Sequence, residues 1–453
     1  MKSMNPATGE IIREYRDHSS KEVEQIIRQV HSTWLTWKET SFGSRSLLMM
    51  KAANILRENK EEYARLMTME MGKIFRESMA EIEKCAWVCD FYAENAAKML
   101  KDEVIETDAS RSFVAFQPLG TILAVMPWNF PFWQVIRFAS PALMAGNAAV
   151  LKHASNVPGC AIAIMEIFRE AGFPEHLFRT LMIPAAGVEA VIANPFIVAA
   201  TLTGSEAAGS QVASSAGKHL KKTVLELGGT DPFIVLADAD LDAAVKAAVT
   251  ARMINQGQSC IAAKRFIIEI PVIEQFETAL KEAFETLRIG DPMDPETQVG
   301  PMARPDLVDE IEQQVNASID AGAKLVTGGK RPDRPGCYYE PTILADVTKG
   351  MPVYLQETFG PVASLITARN EEDAIRIAND SDFGLGGCVW TRDLYRGEKI
   401  ARKIETGAMF VNGMTKSDPR LPFGGIKKSG YGRELGVYGI REFVNVKTIW
   451  IGR

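Results

Sequence analysis

The sequence has few cysteines, and their spacing suggests neither a disulfide framework nor a zinc site. Six cysteines occur among 453 residues, none of them in a Cys-x-x-Cys pair, and there are only five histidines. Both disulfide-stapled domains and structural zinc sites need denser or more regular ligands, so we expect no bound metal. Cys85 and Cys89 share one helix face and are predicted to be core residues. A reducing cytoplasm, where a free thiol survives, is the expected compartment.

Long apolar runs and an excess of basic charge are also missing. The apolar runs are too short or too interrupted to span a bilayer, and the segment 1–6 lacks the apolar core of a signal peptide. The net charge is −6 at pH 7. An acidic balance gives no support for a nucleic-acid or anionic-membrane partner.

The usual dinucleotide-binding fingerprint is absent as well. The segment Gly430–Gly436 resembles G-x-G-x-x-G, but its last spacing is wrong and it follows a basic loop instead of a strand. The motif requires a strand before it and a helix after it, so we interpret this segment as structural.

What is present indicates a globular chain of at least two domains, 46% hydrophobic and 24% charged. Residues 20–100 show helical spacing of apolar positions, and 104–116 predicts a hairpin. Strand–helix alternation over 120–229 predicts a parallel sheet covered by helices, and a second α/β block follows. The tail predicts strands at 443–446 and 448–451, which can pair with the hairpin or with another subunit.

Cys260 is the main candidate for chemistry. A lone cysteine is usually a small buried hydrophobe. Here, however, the thiol follows Asn255-Gln256-Gly257-Gln258-Ser259, which predicts a loop. Glu226 lies upstream, and a thiolate with a carboxylate base suits covalent catalysis at a carbonyl carbon.

Two further segments follow predicted strands. Asn129, between Pro127 and Pro131, can donate its amide N–H to a developing oxyanion, although an ordinary Asx turn is the alternative. Gly204 and Ser205 open a helix, where free N–H groups favour phosphate, although many helices begin this way.

Together these segments resemble the aldehyde dehydrogenase superfamily over nearly the whole chain. The opening segment Asn5–Glu10 is similar to the start of that family. Six motifs match in order: Pro127–Pro131, Thr203–Ser205, Leu225–Gly229, Gly257–Cys260, Glu357–Pro361 and Pro422–Gly430. With its Asn5-Pro6 pair so early, the chain is expected to lack the longer N-terminal extension of some relatives.

The resemblance implies a role for each matching position. Cys260 would be the nucleophile, Asn129 and the Cys260 backbone N–H would hold the oxyanion, and hydride would pass to a nicotinamide. Glu226 would activate the water that hydrolyses the thioester, which favours a free acid over an acyl-coenzyme A product. The positions implied for the cofactor are Trp128, Lys152, Ser155, Gly204, Ser205, Leu227, Glu357 and Phe359.

The resemblance also implies an α/β fold with a Rossmann-like cofactor domain, an α/β catalytic domain and a β oligomerisation arm. We expect the cofactor domain at 1–100 and 119–228, the catalytic domain at 229–425, and the arm at 101–118 and 426–453. Such an arm usually builds homodimers or homotetramers by extending the sheet of a neighbour.

Positions that differ within the family motifs indicate which cofactor and which substrate the protein prefers. Ser155 stands where the family's Lys-Pro-x-Glu version has a carboxylate, which would repel a 2′-phosphate, so we expect NADP to be preferred while NAD is still possible. Arg137 matches the arginine that pairs with the distal carboxylate in succinate-semialdehyde dehydrogenases, and a surface salt bridge is the alternative. Ile254 replaces a second arginine of some relatives. Either Arg252, Ser417 or Arg420 compensates for it, or the site is less selective.

A small-molecule aldehyde, most specifically succinic semialdehyde, is therefore the expected substrate. Three alternatives stay open: an aldehyde dehydrogenase of broader or different specificity, a non-catalytic protein built on this fold, and a cysteine-dependent esterase without a redox step.

Overall fold

The computed structural model describes residues 1–452, with the chain folded into fifteen α-helices and twenty strands. Only the last residue of the predicted arm, Arg453, lies outside the described residues. The helices are α1 (Ser20–Trp37), α2 (Phe42–Glu58), α3 (Lys60–Met71), α4 (Phe75–Met99), α5 (Trp133–Met144), α6 (Pro158–Glu170), α7 (Val188–Ala193), α8 (Glu206–Lys218), α9 (Leu241–Met253), α10 (Ile273–Glu285), α11 (Pro305–Asp320), α12 (Pro352–Leu355), α13 (Glu371–Asn379), α14 (Leu394–Ala401) and α15 (Gly436–Ile440).

The strands are mostly short and form two large sheets, one three-stranded sheet and two two-stranded sheets. They are β1 (Lys2–Met4), β2 (Ile11–Glu14), β3 (Glu103–Val104), β4 (Arg111–Pro118), β5 (Thr121–Met126), β6 (Ala148–His153), β7 (Phe178–Thr180), β8 (Ile197–Thr203), β9 (Lys222–Glu226), β10 (Pro232–Val235), β11 (Arg265–Glu269), β12 (Lys324–Thr327), β13 (Thr342–Ala345), β14 (Val362–Ala368), β15 (Phe383–Gly384), β16 (Cys388–Trp390), β17 (Phe410–Val411), β18 (Ile426–Lys427), β19 (Gly430–Tyr431) and β20 (Val444–Ile451).

The predicted helical region is confirmed as α1 to α4. Ser19 caps α1 through a reciprocal capping box with Glu22, so the helix begins where its first free N–H groups find acceptors. Helices α2, α3 and α4 pack on one another. Cys85 and Cys89 lie fully buried on α4, as predicted for core residues.

The first large sheet has the order β19-β9-β8-β5-β6-β7 and is parallel except for the antiparallel pair β19–β9. This confirms the parallel sheet predicted for 120–229. Two of its strands were not predicted: β7, which is only three residues long, and β19, which comes from a distant part of the chain. The carboxyl ends of β5 and β8 lead directly into the segments that carry Asn129 and Ser205, and Glu226 is the last residue of β9.

The second large sheet has the order β12-β13-β14-β11-β10-β16-β17, with only β12 antiparallel to its neighbour. Its two faces are covered by separate apolar clusters, one containing Ile234 and Ile267 and the other containing Phe233 and Phe266. Alternate residues of β10 and β11 thus enter opposite cores, as the two-residue period of a strand requires.

The third sheet has the order β20-β4-β3, and the two two-stranded sheets are β1-β2 and β15-β18. The predicted hairpin is confirmed, and the tail pairs with it from Val444 opposite Pro118 to Ile451 opposite Arg111. The tail prediction was wrong in one respect, because a single strand β20 replaces the two expected strands: the ladder runs through Lys447 without a break. The positions of the three larger sheets agree with the expected α/β fold, while the domain boundaries stay a prediction.

Within residues 1–452, no helix is both long and apolar enough to cross a membrane. The same residues contain no cluster of three or more His, Cys, Asp or Glu side chains able to hold a metal ion.

Candidate active site

Cys260 lies where two cavities meet. The larger cavity has a volume of about 670 Å³ and is lined by Asn129, Gly204, Cys260 and Glu357 among others. The smaller, of about 300 Å³, is lined by Cys260 together with Arg137 and side chains of helix α4. A nucleophile at such a junction can meet two different molecules, one in each cavity.

The loop that carries the thiol has an unusual backbone. Asn255 and Gln256 adopt left-handed conformations with φ of 50° and 55°, and Gly257 follows at φ 75°. A Cβ on Gly257 would lie 2.1 Å from the carbonyl oxygen of Gly360, so only glycine fits there. Strained backbone of this kind is kept only where the surrounding structure enforces it, and it occurs often at active sites.

Buried polar contacts hold this loop in place. The Arg252 guanidinium donates to the Gly257 carbonyl oxygen at 2.7 Å, and the Gln258 side chain accepts the Ala303 N–H at 2.9 Å. Lys264 Nζ donates to the carbonyl oxygens of Ser259 and Cys260 at 3.0 and 2.7 Å. These contacts fix the position of the thiol before any ligand binds.

The Cys260 thiol is protonated at neutral pH in this environment. Burial raises its pKa to about 12, and the positive charge of Lys264 opposes that shift only in part. Its backbone N–H has no hydrogen-bond acceptor among residues 1–452. That N–H is therefore free to donate to a ligand oxygen beside the sulfur.

Asn129 is held directly against the thiol loop. Its side-chain Nδ2 donates to the Gln258 backbone carbonyl oxygen at 3.0 Å. The backbone carbonyl oxygen of Asn129 accepts from Asn255 Nδ2 at 2.7 Å. Asn129 is buried and lines the larger cavity together with Cys260. An amide with two N–H groups can keep its bond to Gln258 and still donate a second one.

Glu226 ends β9, and its carboxylate is enclosed without any hydrogen-bond partner among the described residues. Burial and the negative charge of Glu434 raise its pKa well above the usual range, while Arg137 acts in the opposite direction. The carboxylate lies against Gly424 and is not part of the lining of either cavity. Its role as a base stays a prediction.

The larger cavity brings together most of the residues predicted to contact the cofactor: Trp128, Gly204, Ser205, Leu227, Glu357 and Phe359. Ser205 caps α8 through its Oγ, so the open end of that helix faces the cavity. Glu357 accepts the Gly229 N–H at 3.0 Å, and a Cβ on Gly228 would lie only 2.4 Å from its carboxylate. A helix end for phosphate and a carboxylate for hydroxyl groups fit a nicotinamide dinucleotide.

Lys152 lines a separate cavity of about 540 Å³ beside α8, together with Gln211, Ser215 and Lys218. Burial lowers the pKa of Lys152, and no carboxylate of residues 1–452 pairs with it. A buried ammonium group that forms no ion pair suits a ligand that brings its own negative charge. Ser155 lies exposed just after β6 and lines none of these cavities. Its part in cofactor choice stays a prediction.

Arg137 and Ser417 both line the smaller cavity. The Arg137 guanidinium is buried in an ion pair with Glu434 and lies 4.9 Å from the centre of the Phe423 ring. Two of the suggested substitutes for the missing arginine are wrong. Arg252 is engaged by backbone carbonyl groups of the thiol loop, and Arg420 is exposed and paired with Asp418.

The comparisons with known proteins agree with this geometry. The profile of the aldehyde dehydrogenase family matches residues 1–449. The chain belongs to the aldehyde dehydrogenase family. It is 56% identical over 449 residues to a probable NADP-dependent succinate-semialdehyde dehydrogenase of Synechocystis sp., covering 99% of each chain. It is 51% identical over 452 residues to the NADP-dependent succinate-semialdehyde dehydrogenase of Mycobacterium leprae, again covering 99% of each chain. The structure of succinic semialdehyde dehydrogenase from Streptococcus pyogenes, solved with NADP⁺, is similar with a TM-score of 0.98 at 40% identity, covering 100% of each chain.

Several residues at the centre of this aldehyde dehydrogenase site were missed from the sequence. Lys84 resembles an ordinary exposed lysine on a helix, yet its ammonium lines the smaller cavity. Glu434 lay in a segment interpreted as structural, yet it pairs with Arg137. Lys264 and Trp133 carry no motif of their own. Spacing cannot reveal such residues, because each reaches the site only through the packing of distant elements.

Proposed function

We propose that this aldehyde dehydrogenase oxidises succinic semialdehyde to succinate with NADP⁺. The observation that carries the proposal is the position of Cys260 between a dinucleotide-sized cavity and a small cavity containing cationic side chains. The names of the two curated relatives at 56% and 51% identity support both the substrate and the cofactor.

In the first half of the cycle, the Cys260 sulfur attacks the aldehyde carbon and forms a thiohemiacetal. The raised pKa means that the thiol must pass its proton to solvent water as the bond forms. The Asn129 amide and the Cys260 backbone N–H stabilise the negative oxygen that develops beside them. A bound nicotinamide supplies the acceptor for the hydride of the thiohemiacetal.

In the second half, the acyl group is held on Cys260 as a thioester. Glu226 takes a proton from the water that attacks this thioester and releases succinate. Burial and the negative charge of Glu434 raise the pKa of its carboxyl group, so the group must be ionised before it can accept that proton.

NADP preference follows from the charges at the ribose end of the cofactor. Lys152 supplies a positive group that forms no ion pair within residues 1–452, the Glu189 carboxylate of the same cavity being paired with Lys218, and Ser155 avoids the repulsion that a glutamate would impose on a 2′-phosphate. Arg137 stays a predicted contact for the substrate carboxylate.

A panel of aldehydes assayed with NADP⁺ and NAD⁺ tests the proposal. Succinic semialdehyde should give the highest kcat/KM, with stoichiometric NADPH and succinate, and NADP⁺ should be preferred. Cys260→Ala should abolish the reaction while cofactor binding, measured calorimetrically, survives. Ester hydrolysis without reduction of NADP⁺ would favour an esterase, and cofactor binding without turnover would favour a non-catalytic protein.

For assembly, we propose a homodimer or homotetramer formed in the cytoplasm through the three-stranded arm. The arm exposes Val104, Val446, Trp450 and Ile451, with 67%, 62%, 55% and 45% of their surfaces accessible. Exposed apolar side chains on both faces of a sheet whose edge strand β20 has no outer partner among residues 1–452 suit burial against a second copy. Light scattering tests this, because a monomer would contradict it.

A further inference from the structure

Lys84 lies on α4 with its ammonium group facing the smaller cavity. Its Nζ donates to Ser417 Oγ at 2.7 Å and lies 4.3 Å from the centre of the Trp133 ring. No carboxylate of residues 1–452 comes within ion-pair distance of it. Lys84 is thus a largely enclosed cation whose only polar partner is a neutral hydroxyl group.

The other charged groups of the cavity already have partners. Arg137 is paired with Glu434, and Glu81 is paired with Lys73. Glu81 also accepts two backbone N–H groups at 2.9 Å each.

Glu77 and Lys416, the other two charged groups of the cavity, form no ion pair with Lys84 either. Glu77 accepts the Asn255 N–H at 2.8 Å, and burial raises the pKa of its carboxyl group. Lys416 lies exposed at the rim. Lys84 is therefore the cation of this cavity that is enclosed and forms no ion pair within residues 1–452.

We propose that Lys84, with Ser417 as a second donor, binds the carboxylate at the far end of the substrate from the aldehyde. The inference rests on the proposed function, which requires a substrate with a distal carboxylate. A charge-assisted hydrogen bond in an enclosed site is stronger than one in water, so this contact selects the acidic aldehyde. The apolar walls formed by Trp133, Ile261 and Phe423 accommodate the methylene groups between the two ends.

Lys84→Met tests the proposal, because methionine keeps an apolar stem against Trp133 and removes only the charge. Succinic semialdehyde and butanal, which have the same chain length, are compared as substrates of the full-length enzyme. We expect KM for succinic semialdehyde to rise about 10- to 100-fold, as for loss of a hydrogen bond to a charged group, with KM for butanal changed less than about twofold. Lys98→Met, on an exposed position of the same helix, is the matched control and should change neither KM.

Two additional measurements keep the test independent of folding defects. Lys84→Arg, which retains the charge, should recover part of the loss. Ser417→Ala should raise KM for succinic semialdehyde by a smaller factor and leave KM for butanal unchanged. Succinate, titrated calorimetrically into wild type and Lys84→Met, should bind measurably only to the wild type.

The results distinguish failure of the proposed function from failure of the proposed role of Lys84. Wild-type enzyme that oxidises butanal as efficiently as succinic semialdehyde would contradict the proposed function. If the wild-type enzyme prefers succinic semialdehyde and Lys84→Met keeps the same preference, the proposed function stands and the role of Lys84 is overturned. Equal losses for both aldehydes in Lys84→Met would also overturn it, because they indicate a structural defect.

Discussion

Replacing Arg137 with methionine should leave two enclosed carboxyl groups without their shared cation. Arg137 and Glu434 are 3% and 6% exposed, and Glu226, at 2%, lies within the influence of both charges. Removing one partner of a buried ion pair typically lowers the free energy of unfolding by about 3–5 kcal/mol. The loss arises because a charged carboxylate then remains in a site with little water.

The pH dependence of this loss can be worked out from the same contacts. Burial raises the pKa of Glu434 even beside Arg137, and Arg137 acts to lower it. The native state therefore holds more protons than the unfolded chain between their two pKa values, and the free energy of unfolding falls as pH rises through that window. Without Arg137 the native pKa of Glu434 rises further, so this pH window extends to higher pH. Glu434 can escape the cost of an unpaired buried charge by taking up a proton. For a carboxyl group with an unfolded pKa near 4.3, this protonation costs about 5 kcal/mol at pH 8 and about 2 kcal/mol at pH 6. The loss of unfolding free energy cannot exceed that cost at either pH.

Guanidinium unfolding followed by tryptophan fluorescence measures both effects. Arg137→Met should be destabilised by about 3–5 kcal/mol at pH 8 and by no more than about 2 kcal/mol at pH 6. If unfolding is irreversible, thermal midpoints at one scan rate replace the free energies. The double variant Arg137→Met/Glu434→Gln should recover part of the stability at pH 8. Equal stability of wild type and Arg137→Met at pH 8, or a loss that does not depend on pH, would refute the reasoning.

The same variant separates the two possible roles of Arg137. A direct contact with substrate predicts a larger rise in KM for succinic semialdehyde than for butanal. A role confined to Glu434 predicts equal changes for the two aldehydes, and would leave Lys84 as the cation that selects the carboxylate.

Three further predictions concern the other parts of the site. Glu226→Gln should release one equivalent of NADPH rapidly and then stall as a thioester, detectable in stopped-flow absorbance and by mass spectrometry; steady turnover at the wild-type rate would exclude Glu226 as the base. Ser155→Glu should raise KM for NADP⁺ by at least about tenfold with little change for NAD⁺, and equal effects on both would contradict its position near the 2′-phosphate. Gly257→Ala should lower both stability and activity, because its Cβ would meet a carbonyl oxygen at 2.1 Å, with a strain of about 1–3 kcal/mol. Gly217→Ala, where a Cβ has open space inside helix α8, is its control, and a similar loss there would show that the Gly257 contact is unimportant.

Much of the fold follows from local patterns. Apolar positions at helical spacing predicted α1 to α4, and strand–helix alternation predicted the parallel sheet, because those periods decide which face of an element is buried. Short or distant strands could not be predicted in the same way. β7 has three residues, and β19 joins the first sheet from more than two hundred positions along the chain from β9, so neither has a periodic signal that reveals its partner.

The sequence by itself determined the chemistry that this protein can perform. Cys260, Asn129 and the helix start at Gly204 and Ser205 lie in short motifs whose geometry is mostly local. The tertiary structure alone decided which charges face the substrate and which are neutralised. Arg137, on α5, is paired with Glu434, almost three hundred residues away, while Lys84, on α4, is left without an anion; each outcome depends on which distant segments pack beside the cavity. A charge acts through its surroundings in space, and those surroundings are set by packing and not by position along the chain.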